Sequence, residues 1–288
     1  MKFIILGCGS SMGVPRPDGH FGNCDPNNKK NYRTRCSALI KTDQENVLVD
    51  TSPDLRFQLL RHKIKKIDKV FYSHMHADQT HGINDLRSFF INSKKQINVY
   101  ADTETSKYLN QSFSYCFKSY SNEYPATLKL NKINKNLDIN NSKKKIKVKP
   151  IKVEHGQVKS TCYIIDKKLA YISDVSDIYK KDYKYFKNLE FLIIDCLWFN
   201  FHPSHFNLEK SLYFIKKPMS AFSKLALISS IKFISSELFI VSSFSKYSCS
   251  TGPSLTSSTA DITFLLFIVL IKLGYIPYTI WQNSQYPA

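Results

Sequence analysis

Three histidines and an aspartate fall within eight positions of this chain, residues 74–81, which read HMHADQTH. The run follows an apolar stretch, residues 69–72, that is typical of a buried strand. Side chains two residues apart in extended chain point to the same side, so His74 and His76 can bind one cation. Asp78 adds a hard oxygen that can bind a second ion or hold the attacking water. The cluster predicts a metal centre at the end of a strand.

Two more residues of metal-ligand type follow strand-like runs further along the chain. His155 ends the run 151–154, and Asp174 ends the run 169–173. The carboxyl ends of strands in a layered α/β sheet commonly form the functional site, so we expect both residues near the first cluster. Asp195 follows a third such run, and the pattern leaves open whether it binds a metal or supports a ligand.

The cysteine pattern and the net charge indicate which cellular compartment and which kinds of partner to expect. Seven cysteines occur singly and no CxxC pair is present, so neither a disulfide framework nor a four-cysteine zinc site is predicted. The apolar stretch before Cys8 is too short for an export signal, and we therefore expect a cytoplasmic protein. The formal charge of +18 would attract phosphates, nucleic acid or anionic surfaces. The lysines are dispersed without an arginine stripe, which favours a lysine-rich surface over a nucleic-acid interface.

The chain changes character near residue 217. Up to that point short apolar runs alternate with polar loops, and segments 52–63 and 85–92 resemble short helices, as in a mixed α/β domain. Strands are predicted in eight segments: 3–6, 47–49, 70–72, 97–100, 146–153, 162–165, 169–172 and 191–194.

Residues 218–288 contain fifteen serines and no histidine, and they lack clear helical or strand periodicity. Three interpretations compete for this segment: a divergent C-terminal part, a membrane-associating tail, or translation out of frame. The last is favoured, and the domain boundaries are predicted as 1–217 and 218–288. The apolar run 262–271 is too short to span a bilayer, for which about 20 residues are needed.

Several motifs together resemble one family. Residues 7–15 (GCGSSMGVP), 49–54 (VDTSPD) and 74–87 (HMHADQTHGINDLR), then His155 and Asp174, occur in the order found in metallo-β-lactamase-fold hydrolases. Within that fold the chain is most similar to the phosphoribosyl 1,2-cyclic phosphate phosphodiesterase group, over about residues 1–217. The resemblance implies an α/β protein with a four-layer αββα sandwich. It also implies two Zn or Mn ions that generate a hydroxide for attack on phosphorus.

The resemblance also assigns roles to individual residues. His74, His76 and His155 would bind the first ion, Asp78 would bind the second ion, and Asp174 would bridge the two. His205 occupies the place of a general acid to the leaving oxygen, with nearby His202 as an alternative. From residue type alone, Arg33 and Arg35 are candidates to grip a substrate phosphate, or are solvated loop charges.

Two departures from the family pattern weaken the second ion site. Gln79 stands where the family has a fourth ligand histidine, and a glutamine offers only a weaker neutral oxygen. No histidine follows His205, although the family places a further ligand there. His81 could substitute for the missing ligand or support the loop. The sequence therefore predicts one well-formed metal site and a weaker second site.

The expected function is metal-dependent hydrolysis of a phosphodiester, with a small cyclic phosphate such as phosphoribosyl 1,2-cyclic phosphate as substrate. Alternatives are tRNA 3′-end cleavage of the RNase Z type, a role in pyrroloquinoline quinone synthesis, and an inactive metal-binding remnant. The expected partner is the small phosphodiester. Nucleic acid is an alternative that is not favoured, no membrane association is expected, and a homodimer is left open.

Overall fold

The computed structural model describes residues 1–22, 24–133 and 136–216, together with the backbone of Lys224–Ile228. Apart from that backbone, the segment 218–288 lies outside the described residues, and both its predicted boundary and its predicted reading frame stay predictions. Among the described residues, no helix combines the length and the apolar character needed to cross a membrane.

Twelve strands form two six-stranded sheets within the described part of the chain. The first sheet holds β1 (Lys2–Gly7), β2 (Ser37–Lys41), β3 (Asn46–Val49), β4 (Lys69–Phe71), β5 (Ile97–Ala101) and β6 (Leu128–Lys132). The second holds β7 (Leu137–Ile139), β8 (Ile146–His155), β9 (Val158–Ile165), β10 (Leu169–Ile172), β11 (Phe191–Asp195) and β12 (Lys224–Ile228). In the first sheet β1 to β3 are antiparallel and β3 to β6 parallel. In the second, β7 to β10 are antiparallel, and β11 and β12 continue parallel to β10.

Helices cover the outer faces of both sheets. They are α1 (Leu55–Arg61), α2 (Ala77–Thr80), α3 (Arg87–Ser93), α4 (Thr103–Ser112), α5 (Ser114–Phe117) and α6 (Leu208–Lys216). Three short 3-10 segments accompany them: Lys29–Asn31, Ile83–Leu86 and Lys180–Phe186. The predicted segment 52–63 contains α1, the segment 85–92 overlaps α3, and each of the eight predicted strands overlaps an observed one. Strands β2, β6, β7 and β12 and helices α2, α4, α5 and α6 were not predicted.

Alternating side chains along the strands divide the core into layers. In β2, Ala38 and Ile40 pack between the two sheets, whereas Leu39 points outward to the cluster that includes Leu55 of α1. On the far side, Phe214 of α6 packs in the cluster that covers the outer face of the second sheet. This is the period-two pattern of a strand buried on both faces. The layers are helix, sheet, sheet and helix, which confirms the predicted αββα sandwich.

The two sheets are also joined directly beside the predicted metal loop. The Tyr163 hydroxyl on β9 donates a hydrogen bond of 2.6 Å to the backbone carbonyl of Tyr72, which follows β4. One residue further, the amide of Thr161 donates to the carbonyl of Ser73 at 2.9 Å. These bonds fix the start of the loop that carries His74 against the second sheet.

Candidate metal centre

The predicted ligands lie at or just after the ends of three strands and meet at one edge of the sandwich. His74 follows β4, His155 ends β8 and Asp174 follows β10. β8 and β10 are both antiparallel to β9 and are therefore parallel to each other. The topology brings together residues that are up to 100 positions apart.

The three histidines of the predicted first site form a close group. Nε2 of His74 lies 3.0 Å from Nδ1 of His76, and Nε2 of His155 lies 3.3 Å from that same Nδ1. A tetrahedral zinc ion with Zn–N bonds of 2.0–2.1 Å holds its nitrogens roughly 3.3–3.4 Å apart. The three side chains therefore fit one divalent ion, with a fourth position left for water or substrate.

Neighbouring groups orient two of these rings toward each other. Nδ1 of His155 lies 2.6 Å from the carbonyl oxygen of Ser204, so this nitrogen donates its proton and Nε2 faces the other histidines. Ser73 Oγ lies 3.0 Å from Nδ1 of His74, which likewise leaves Nε2 facing His76. A metal-ligating histidine is commonly fixed through its other ring nitrogen in this way.

A glycine makes the contact between His155 and Ser204 possible. Gly156 adopts φ +59°, and a Cβ at this position would lie 2.7 Å from the Cβ of Ser204. The left-handed conformation and the lack of a side chain let the strand end turn directly beneath the Ser204 carbonyl.

Burial favours the neutral form that metal binding requires in all three histidines. It lowers the pKa of His74 to about 3 and also lowers the pKa of His76 and of His155. A neutral imidazole has a lone pair available for a cation, whereas a protonated one would repel it. Burial thus prepares the three rings as ligands.

The second group of predicted ligands is arranged differently from the expectation. Asp78 and Asp174 lie on either side of the Gln79 side chain, which is fully buried. Gln79 Nε2 donates to Asp78 Oδ2 at 3.0 Å and to Asp174 Oδ2 at 3.2 Å. The sequence interpretation had Gln79 offering its oxygen to a second ion. In the structure the amide nitrogen faces the two carboxylates instead.

The two carboxylates differ in their electrostatic surroundings. Burial, reinforced by the charge of Asp174, raises the pKa of Asp78 to about 6. Burial also acts to raise the pKa of Asp174, but His74, His155 and His205 outweigh it and the net shift is downward. Asp174 is thus the carboxylate that favours the ionised form beside the histidines.

His205 lies on the opposite side of this group and is held by Asp195. Its Nδ1 donates to Asp195 Oδ2 at 2.7 Å and lies 3.6 Å from Asp174 Oδ1. Burial raises the pKa of Asp195 to about 7, although the hydrogen bond to His205 opposes that shift. With Nδ1 engaged, Nε2 of His205 remains for a proton transfer. Asp195 therefore supports His205, and the structure does not place it among the three histidines.

The VDTSPD motif positions the metal loop through hydrogen bonds from one side chain and from the backbone. The side-chain Oδ1 of Asp50, a residue at φ +62°, accepts from the backbone amide of Ser73 at 2.7 Å. The amide of Thr51 donates to the carbonyl of Gln79 at 2.8 Å, and the Thr51 carbonyl accepts from Gly82 at 2.9 Å. The motif acts by holding the segment 73–82 in place.

A cavity of about 240 Å³ opens above these groups. The glycine loop after β1 contributes one wall, and the metal loop and the strand ends contribute the others. The lining residues are Cys8, Gly9, Ser10, Ser11, Cys36, His76, Asp78, His155, Ser173, Asp174, Asp195, Leu197, Ser204 and His205.

The remaining candidates lie outside this cavity wall. Arg35 forms a bidentate pair with Asp54, with distances of 2.9 Å from Nε and 2.7 Å from Nη2. Arg33 is buried, and its burial lowers its pKa. The ring of His202 lies 5.1 Å from that of His205. His81 Nε2 lies 2.9 Å from the hydroxyl of Tyr108, as expected of a residue that supports the loop.

Some groups that orient the candidate ligands could not have been identified from the sequence. The Ser204 carbonyl and Ser73 Oγ orient ligands, yet a backbone carbonyl and a single serine carry no recognisable pattern. Asp195 had a signal, its place at the end of a strand-like run, but its pairing with His205 depends on the tertiary fold.

Comparisons with known proteins agree with this geometry. A family model described as the beta-lactamase superfamily domain matches residues 45–221. The chain belongs to the beta-lactamase superfamily. This superfamily member is similar to the crystal structure of a diphosphatase from the PhnP family, with 28% identity and a TM-score of 0.66, over 78% of this chain and 85% of that one. The predicted fold and the predicted similarity to this hydrolase group are thereby confirmed.

Other similarities are more distant or cover less of the relative. Zinc-bound PqqB from Methylobacterium extorquens is 17% identical with a TM-score of 0.56, over 69% of this chain and 74% of that one. The short form of human tRNase Z is 16% identical with a TM-score of 0.56, over 84% of this chain and 99% of that one. Both show the shared fold alone. An octanoyltransferase of Porphyromonas gingivalis (strain ATCC BAA-308 / W83) is 32% identical over 214 residues, 74% of this chain. The chain spans only 42% of the length of that protein.

Proposed function

We propose that this superfamily member is a metal-dependent phosphodiesterase that cleaves a small cyclic phosphate, such as phosphoribosyl 1,2-cyclic phosphate. One observation carries the proposal. Two of the three metal-binding histidines, His76 and His155, line the same small cavity as a histidine held by a carboxylate, His205 with Asp195. A metal centre and an oriented proton donor in one cavity are the two parts that ester cleavage with an alkoxide leaving group requires.

His74, His76 and His155 would hold a zinc or manganese ion. When bound, such an ion lowers the pKa of a coordinated water towards ~7 and offsets charge on the phosphate. The remaining chemistry belongs to residues of the chain.

His205 is suited to protonate the leaving oxygen. Burial acts to lower its pKa, but Asp195 and the other nearby carboxylates reverse this, so the pKa is raised. The raised pKa favours the imidazolium form, in which Nδ1 donates its proton to Asp195 and Nε2 carries the second proton. A water that has released one proton to solvent attacks phosphorus as hydroxide, the bond from phosphorus to the sugar oxygen breaks, and Nε2 gives its proton to that oxygen.

The size and lining of the cavity favour a small anionic ester. Its volume of about 240 Å³ lies below the ~300–1,000 Å³ range that is usual for ligand pockets. Four serines (Ser10, Ser11, Ser173 and Ser204) contribute to its wall, and serine hydroxyls can donate to phosphate oxygens. The net charge of +18 would speed the arrival of an anion.

The proposal is tested with the protein loaded with zinc or with manganese. Substrates are bis(p-nitrophenyl) phosphate, phosphoribosyl 1,2-cyclic phosphate and a pre-tRNA. We expect cleavage of the two small esters. His205→Asn should lower kcat by about 10²–10⁴ at unchanged metal content, while the control His62→Asn, at the end of α1, should retain activity.

Two outcomes would contradict the proposal. Cleavage of the pre-tRNA without cleavage of either small ester would assign the nucleic-acid function instead. A metal-loaded protein that turns over none of the three substrates would indicate the inactive remnant.

A further inference from the structure

The buried amide of Gln79 occupies an unusual position between two carboxylates. Both hydrogens of its NH2 group are used, one toward Asp78 and one toward Asp174. Its Oε1 is buried and has no hydrogen-bond partner among the residues that the structure describes. A buried carbonyl oxygen without a partner costs about 1–3 kcal/mol, so the NH2 contacts with the carboxylates must outweigh that cost.

The orientation of the amide follows from charge. An amide oxygen placed between two carboxylates would be repelled by both unless a cation lay among the three groups. An NH2 group carries partial positive charge and can satisfy both carboxylates without a cation. The NH2 group of Gln79 and a second cation would therefore compete for the same two carboxylates.

Backbone hydrogen bonds fix the position from which the Gln79 side chain extends. The backbone carbonyl of Gln79 accepts from the backbone amide of Thr51 at 2.8 Å, and the backbone amide of Gln79 donates to the carbonyl of His76 at 3.1 Å. The side chain is fully buried, so it cannot swing out to solvent without disturbing α2. An ion that displaced the NH2 group would meet Asp78, Asp174 and one neutral oxygen. His205 also lies near Asp174, but its Nδ1 is already hydrogen-bonded to Asp195.

We infer that the Gln79 amide takes the place of the second metal ion, so that this chain forms a one-ion centre at His74, His76 and His155. The two carboxylates are then bridged by hydrogen bonds and not by a metal. Asp78 becomes a residue that fixes the loop, and Asp174 remains beside the first ion. The inference concerns the number of ions bound and does not depend on which ester is cleaved.

The test is metal stoichiometry, measured by isothermal titration with zinc and by elemental analysis after dialysis. The wild-type chain should bind one zinc ion. Gln79→His replaces the NH2 donor with an imidazole lone pair and should bind two. Asp78→Asn should still bind one ion, with less than a threefold change in affinity, because Asp78 does not contact the bound ion.

Gln58 provides a matched control. It is also buried, its NH2 group also donates two hydrogen bonds, to Thr34 and to the carbonyl of Arg35, and its Oε1 is likewise unpartnered among the described residues. Its partners are neutral oxygens, so Gln58→His should leave the count at one ion.

Two results would overturn the inference: two ions on the wild-type chain, or loss of an ion in Asp78→Asn. Should Gln79→His fail to fold, the wild-type and Asp78→Asn measurements still decide. A chain that binds no zinc at all would overturn the three-histidine centre as well, whereas one ion without ester cleavage would leave this inference standing and reject only the proposed function.

Discussion

Substituting alanine for Gly156 tests whether the turn after β8 supports the metal centre. Two costs add at this position. A side chain at φ +59° costs about 1–2 kcal/mol of backbone energy. The new Cβ would lie 2.7 Å from the Cβ of Ser204, and overpacking of this kind costs about 1–3 kcal/mol. We therefore expect Gly156→Ala to lower the free energy of unfolding by about 2–5 kcal/mol.

The same substitution should weaken zinc binding. To relieve the clash with the new Cβ, Ser204 should move away from residue 156. The 2.6 Å hydrogen bond from Nδ1 of His155 to the Ser204 carbonyl, which orients the ring, would then be lost. Loss of such a supporting contact typically lowers metal affinity 10–100-fold. Urea unfolding of the metal-free protein and zinc titration against a competing chelator measure the two effects separately.

Gly19→Ala is the matched control for this experiment. Gly19 has φ +81° and no atom within 4 Å of an added Cβ, so it carries only the backbone cost. It should destabilise by at most about 1–2 kcal/mol and leave zinc affinity unchanged. If Gly156→Ala matches Gly19→Ala in both measurements, the turn does not support the centre and the reasoning is refuted.

Three further substitutions probe other parts of the site and its framework. Asp195→Asn should lower kcat on a small diester at least tenfold with unchanged zinc content, because His205 loses its charged partner; unchanged kcat would contradict its positioning role. Tyr163→Phe should lower the free energy of unfolding, measured in urea, by about 1 kcal/mol, because the Tyr72 carbonyl loses its hydrogen bond; an equally stable variant would contradict this. Asp54→Asn should lower the free energy of unfolding by about 1.5–3 kcal/mol at pH 7, because the paired hydrogen bonds with Arg35 are weakened. Burial acts to raise the pKa of Asp54, but Arg35 holds it below the ordinary value, so its stabilisation is present above about pH 4 and is lost as pH falls through the folded pKa. The difference from wild type should therefore shrink on acidification, and a constant difference would refute the assignment.

The candidate metal ligands could be predicted from the sequence because each lies at or near the end of a strand-like run. Strand β10 is a continuous apolar run, whereas β8 alternates lysines with apolar residues. His74, His155 and Asp174 lie at or within three residues after the ends of β4, β8 and β10. Parallel strand direction then brings ligands at strand ends to one edge. The fold class could be predicted for the same reason.

The missed elements have weaker local signals. Strand β6 reads LKLNK and is only partly buried, and helix α4 reads TETSKYLNQS and is mostly polar. Their positions depend on packing against β5 and not on their own composition.

The orientation of Gln79 could not be predicted, because it depends on where two distant carboxylates lie. Asp78 is its neighbour, but Asp174 is 95 positions away and reaches it only through the pairing of the second sheet. Gln79 could be recognised in the sequence as the unusual residue of the motif, but the direction of its side-chain amide could not. The pairing of Asp195 with His205 escaped prediction for the same reason.

Zinc X-ray absorption spectroscopy on the protein loaded with one equivalent of zinc tests the central claim most directly. We expect three imidazole nitrogens at about 2.0–2.1 Å and no sulfur neighbour. In His76→Ala the nitrogen count should fall, because Nδ1 of His76 lies 3.0 Å from Nε2 of His74 and 3.3 Å from Nε2 of His155 and would be one of the three ligand atoms. A sulfur neighbour at about 2.3 Å, which would identify Cys8 or Cys36 of the cavity wall as a ligand, would contradict the three-histidine centre.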